Sequence, residues 1–194
     1  MFPVQRTWKL AADFAEPRPL EGPKTHVHGA WDIAVPVNTP IYAEVSGKLY
    51  KVYHRRRDGK VFHDLFWLDK TWFAFSHYYW EVWGCLIILE GDDGKTYVHA
   101  HCPREQTMNF FRTDAPCTYQ TFDKTDAAEA FHNLDYPVHV SEGDLLGTSG
   151  NDGYSTGPHI HLEIHKGRNY TPHADRPDPA VLWPDEWRAH GGRT

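Results

Sequence analysis

A glycine-rich turn that runs straight into an alternating strand constrains this chain more than any other stretch. Ser149-Gly150-Asn151-Asp152-Gly153-Tyr154-Ser155-Thr156-Gly157-Pro158 leads into His159-Ile160-His161-Leu162-Glu163-Ile164. The glycines open backbone angles closed to other residues and Pro158 restricts one, so the turn brings the chain sharply into a sheet. Side chains of a strand alternate between faces, which places His159 and His161 on one face and Ile160 and Leu162 on the other, against a core. Metal sites, phosphoryl transfer and plain surface strands all use such a histidine pair. Its meaning depends on partners upstream.

The first partner is His26-Val27-His28-Gly29-Ala30-Trp31-Asp32-Ile33-Ala34-Val35-Pro36. His28 and Asp32 offer a nitrogen and an oxygen suited to a borderline metal such as zinc. Gly29 and the flanking prolines argue for a loop and strand rather than a helix here. The second partner lies in a hairpin. Cys85 to Glu90 is a continuous apolar run ending in a glutamate and reads as a central strand. Asp92-Asp93-Gly94 is a favoured turn, and the returning strand Lys95 to His101 carries His99 and His101, predicted on one face.

The remaining pattern is that of a mainly antiparallel β-sheet with two inserted excursions, at about 54–83 and 102–137, in a single domain over residues 1–194. Thr39 to Tyr53 alternates around Ser46-Gly47 as a β-hairpin would. Thr125 to Leu134 predicts a short capped, alanine-rich helix. The first excursion is dense in aromatics from Phe62 to Trp83, either a self-packing cluster or a rim for a binding groove. Asp178 to Pro184 predicts a strap that packs Val181, Leu182 and Trp183 onto the body.

Composition excludes some classes. The formal charge of -6 lacks the basic footprint of a nucleic-acid binder. Fourteen histidines and eight tryptophans exceed ordinary usage and favour a metal or acid–base site. The three cysteines, Cys85, Cys102 and Cys117, have no Cys-x-x-Cys spacing, so no zinc ribbon is implied, and one bridge plus a free thiol stays open. No stretch is long and apolar enough to span a membrane, so membrane insertion is not expected. The opening residues lack the charged and apolar regions of a secretory signal. Either the chain is not secreted by that route, or a leader has been removed.

Taken in order, His28-x-x-x-Asp32, then Tyr97-x-His99, then Gly153 to His161 with its Gly-Pro-His-x-His ending, resemble the motifs of the lysostaphin and LytM-type zinc endopeptidases. Glu142-Gly143-Asp144 before the last motif and Asp178-Pro179 after it are similar as well. The resemblance implies the antiparallel sheet of that catalytic domain, of duplicated-hybrid-motif type. It implies one catalytic zinc held by His28, Asp32 and His161, with a fourth position open to water. His99 and His159 are then the catalytic histidines, one taking a proton from the attacking water and both assisting the tetrahedral oxyanion and leaving amine. His101 is a substitute for the acid–base role, and His26 an outside candidate for a fourth, inhibitory ligand. The implied partner is a peptide of bacterial peptidoglycan, in the cross-bridge or stem, at the cell wall, and with no secretory signal read, a phage-encoded endolysin or virion-associated enzyme, a leaderless enzyme and a trimmed mature form all fit. Two other classes stand beside this: a non-hydrolytic LytM-like binding or activator module, and a phosphocarrier of similar β architecture, which has no use for Asp32 beside His28.

Overall fold

The structure, a computed structural model, describes residues 1–15, 17–19, 25–56, 63–68, 71–76, 85–103, 118–121, 128–132, 137–153, 155–167 and 176–190 of the 194. The first half holds β1 (Lys9–Ala12), β2 (Pro17–Pro19), β3 (Thr25–Val27), β4 (Trp31–Ala34), β5 (Pro40–Tyr42), β6 (Gly47–Arg56), β7 (His63–Leu68) and β8 (Thr71–Ser76). The second holds β9 (Cys85–Gly91), β10 (Lys95–Cys102), β11 (Thr118–Thr121), β12 (Ala128–His132), β13 (Val138–Val140), β14 (Leu145–Thr148) and β15 (His159–Lys166). A 3-10 turn at Pro179–Val181 and helix α1 (Pro184–His190) follow.

Nine strands form one antiparallel sheet in the order β1-β4-β15-β10-β9-β6-β12-β11, with β13 also on β6. This is the mainly antiparallel β architecture read from the sequence. β9 lies inside it and is buried along its whole length, as its apolar run requires. Its one carboxylate, Glu90, is admitted because the Tyr50 hydroxyl donates to it at 3.0 Å. The core on one face combines Ile33, Ile87, Leu89, Ile160, Leu162 and Ile164 with Ile41 and Leu146 of the separate β5–β14 pair. Burial of these side chains contributes about 1.5–3 kcal/mol each, and it presses the opposite face of β4 and β15 toward the polar residues.

Three local expectations are corrected, two of them by long-range pairing. Residues 39–53 are not a hairpin: β5 pairs with β14, and β6 with β9, β12 and β13. The segment expected as a helix over 125–134 contains strand β12, because the edge of β6 offers backbone partners to Ala128 through His132. Pairing within a sheet overrides the weak helix preference of two alanines. In the closing segment Leu182 and Trp183 pack on the core, whereas Val181 is exposed. The aromatic side chains from Phe62 to Trp83, the His26 side chain and Cys117 lie outside the described residues; Cys85 and Cys102 are buried. No helix among the described residues is long and apolar enough to cross a membrane.

The termini close over the β4 side of the core. Trp8 stacks on Phe2 with ring centroids 5.0 Å apart and on His190 at 4.0 Å, and Trp183 meets Phe2 edge-on at 5.4 Å. These contacts bring residues 176–190 next to the strands that carry the candidate site.

Candidate metal centre

Register alone brings two of the predicted ligands together. His161 of β15 stands directly opposite Asp32 of β4, so both side chains leave the same face of the sheet. His28, in the segment entering β4, folds its ring over that pair. The His161 Nδ1 to Asp32 Oδ1 distance is 2.8 Å, His28 Nε2 to Asp32 Oδ1 is 3.1 Å, and His28 Nε2 to His161 Nδ1 is 3.3 Å. One atom from each residue thus lies within 4.8 Å of the others, and all three residues are buried. Two ligands 2.0–2.1 Å from a tetrahedral zinc lie about 3.3 Å apart, so the spacing suits such an ion.

The proton positions argue for a cation more directly. A carbonyl oxygen only accepts, so His28 Nδ1 donates its hydrogen to the Asp13 carbonyl at 3.0 Å. In the neutral ring this leaves a lone pair on Nε2, aimed at a carboxylate oxygen. His161 repeats the arrangement. Its Nε2 donates to Glu163 Oε1 at 3.3 Å, which turns the Nδ1 lone pair toward Asp32. Converging lone pairs repel one another unless a proton or metal ion lies between them. Protons answer part of that need: burial works against the charged forms, yet hydrogen bonding to His161 and His28 holds Asp32 well below the usual carboxylate range. For His161, burial lowers the pKa, but hydrogen bonds to Asp32 and Glu163 outweigh it and the net shift is upward.

His159 lies beside this group. Its Nδ1 donates to the Gly157 carbonyl at 2.8 Å, with the Ser155 hydroxyl 3.0 Å away, and its Nε2 faces Asp32 Oδ1 at 3.7 Å. The glycine-rich turn therefore sets the tautomer as well as the entry into β15.

His99 is not brought to the centre. It pairs across β10 and β15 with Leu162, on the face opposite His161, and is wholly buried with Nε2 2.7 Å from Glu44 Oε1. Its predicted place is taken by His101, whose ring centroid is 4.5 Å from that of His159 and 5.9 Å from that of His161. Strict alternation would keep His99 and His101 on one face. A bulge separates them: the β9–β10 register shifts between His99 and Cys102, and His101 adopts φ +62°. That left-handed backbone costs about 1–2 kcal/mol and turns the ring to the other face. The His101 Nδ1 donates to the Asp152 carbonyl at 2.6 Å, which leaves Nε2 as the acceptor. Burial, with His161 and His159 nearby, pushes the His101 pKa down to about 4, so the ring is neutral at pH 7.

Gly150 makes this contact feasible. A Cβ there would lie 2.5 Å from the His101 carbonyl oxygen and 2.8 Å from the Pro103 nitrogen. Only a glycine allows the turn so close to the bulge. The position of His101 is hard to read from sequence because Tyr97-x-His99 and His99-x-His101 offer equal spacing, and a bulge leaves no local mark.

The catalytic domain of the antimicrobial peptidase lysostaphin from Staphylococcus simulans is similar over 91% of this chain and 92% of its own, at 18% identity and a TM-score of 0.51. The chain has the fold of the lysostaphin catalytic domain. LytU is similar to the same degree, with a TM-score of 0.51 at 18% identity over 93% of this chain and 88% of its own. A zinc-containing peptidase from Vibrio cholerae has a TM-score of 0.51 at 17% identity over 91% of this chain, which spans 37% of that longer protein. No family model and no curated protein matches the chain.

Proposed function

We propose that the chain is a zinc-dependent endopeptidase that cleaves peptide bonds in bacterial peptidoglycan and acts at the bacterial cell wall. The observation that carries this reading is the convergence of His28 Nε2, Asp32 Oδ1 and His161 Nδ1, with the Nε2 sides of His101 and His159 open beside them. Two imidazoles and one carboxylate are a donor set that zinc accepts while leaving a position free. Lysostaphin, whose catalytic domain shares this fold, is an antimicrobial peptidase, which supports peptide-bond cleavage.

Zinc, when bound, polarises the scissile carbonyl and lowers the pKa of a water to about 7. His101 and His159 do the proton work. Each is held by an Nδ1–H bond to a fixed carbonyl, so each presents an Nε2 lone pair that takes a proton from the attacking water. The protonated ring then donates to the oxyanion and to the leaving amine. Their ring centroids are 4.5 Å apart, close enough for both rings to serve one substrate position next to them. His101 replaces His99 in this scheme. His99, buried against Glu44 on the far face, has no route to a substrate.

Digestion of purified peptidoglycans of different cross-link types by zinc-loaded protein tests the proposal, with new amino termini identified by mass spectrometry. A single new terminus is expected. No release from any wall by protein shown to hold zinc would sink the enzyme reading and favour a binding module.

A further inference from the structure

The polar face of β15 continues past the centre. Glu163 and His165 follow His161 on that face, and Glu163 is a fully buried carboxylate. Three donors surround it. Its Oε1 accepts from His161 Nε2 at 3.3 Å and from Arg176 Nη1 at 2.5 Å, and its Oε2 accepts from His165 Nε2 at 2.7 Å. Arg176 comes from the segment after β15 and reaches back across the sheet to lie over Gly29. A Cβ at Gly29 would sit 2.6 Å from Arg176 Nη1 and 3.1 Å from its Cδ, so the residue after His28 leaves room for the guanidinium. One arginine thus rests against the segment that carries the first ligand and grips the carboxylate that holds another.

We infer that Glu163 is a positioning residue for the metal, fixing His161 as the Nε2–H tautomer with Nδ1 turned to the ion, and that Arg176 holds Glu163 in that pose. The inference rests on the zinc reading above. A neutral imidazole interconverts between two tautomers of similar energy, and only one presents Nδ1 as a ligand. A carboxylate on the remote nitrogen selects that tautomer and makes the ligand more basic. Glu163 touches no position a substrate would reach, so it acts only through His161. Arg176 supplies the positive charge and planar donors that keep a buried carboxylate ionised and correctly rotated.

The test compares full-length wild type with Glu163→Gln, Arg176→Met and Arg176→Lys. Zinc affinity is read by competition with a chromophoric chelator, and the His161 tautomer by nitrogen-15 NMR of the zinc-loaded protein. Glu163→Gln is expected to weaken zinc roughly 10- to 100-fold and to mix the two His161 tautomers. Arg176→Met should weaken zinc by a smaller factor, and Arg176→Lys should restore part of the loss. If Glu163→Gln does not fold, the Met and Lys pair decides. Wild-type zinc affinity and an unchanged His161 tautomer in the folded variants overturn this inference and leave the zinc reading intact. Wild type that binds no zinc overturns both.

Discussion

His101 and His159 face each other with ring centroids 4.5 Å apart, although one sits on a bulge of β10 and the other at the start of β15. The same loop holds both: Asp152 fixes the first ring and Gly157 the second. Substitutions at four histidines of β10 and β15, three beside the centre and His99 on the opposite face, separate chemistry from structure.

His101→Ala is expected to lower the hydrolysis rate by about 10²–10⁴-fold with zinc content unchanged, the usual scale for losing an acid–base group. His99→Ala should retain hydrolysis but destabilise the fold by roughly 2–4 kcal/mol, because the buried Glu44 carboxyl loses its 2.7 Å partner. Rate and denaturant midpoint measured on both variants check the assignment. Loss of activity in a stable, folded His99→Ala protein, with His101→Ala unaffected, would return the role to His99.

His159→Ala should abolish hydrolysis and still bind one zinc, whereas His161→Ala should lose both. Of these two residues, only His161 contributes a ligand atom to the group it forms with His28 and Asp32. Zinc content after dialysis, set against the hydrolysis rate, gives the result, and full activity in His159→Ala would contradict the proposed role.

Gly150→Ala should cut hydrolysis at least about tenfold and destabilise the chain by roughly 1–3 kcal/mol, while zinc affinity stays within a factor of two or so. The added carbon meets backbone atoms of His101 and Pro103, which cannot swing aside as a flexible side chain can. The turn must retreat, taking the Asp152 carbonyl from His101. Equal rates for variant and wild type would show that the turn does not set the His101 ring.

Acid should destabilise the metal-free protein in a defined window. Burial is the largest cause of the depressed His101 pKa, followed by the His161 and His159 charges; the Asp152 carbonyl and Asp32 act in the other direction. In the unfolded chain His101 takes up a proton near pH 6.5, but in the fold only near 4. Its contribution is therefore fully present above 6.5 and is lost as pH falls from 6.5 to about 4, by on the order of 3 kcal/mol. Urea unfolding of chelator-treated wild type and His101→Gln across that window should show the steeper loss in wild type. Parallel curves would mean that His101 titrates alike in both states.

Patterns that repeat along the chain were legible without coordinates. Alternation in β15 sorts His159 and His161 from Ile160 and Leu162, and the apolar run of β9 marks an interior strand, because a strand's period of two is a local property. The hairpin between β9 and β10 follows from Asp93-Gly94 in the same way. The partnership of β5 with β14, and the strand at Ala128–His132, were not legible, since each depends on an edge supplied from far away in the chain.

The same division runs through the site. The sequence by itself determined which residue types stand ready, with His28, Asp32 and His161 in the order and chemistry of a metal-ligand set. It also determined that a glycine-rich turn feeds the last of them. Only the tertiary structure put His101 rather than His99 beside His159 and His161. One left-handed residue turns the His101 ring to the face of His159 and His161, and what holds that residue is contact with Asp152 and Gly150, about fifty residues further along the chain.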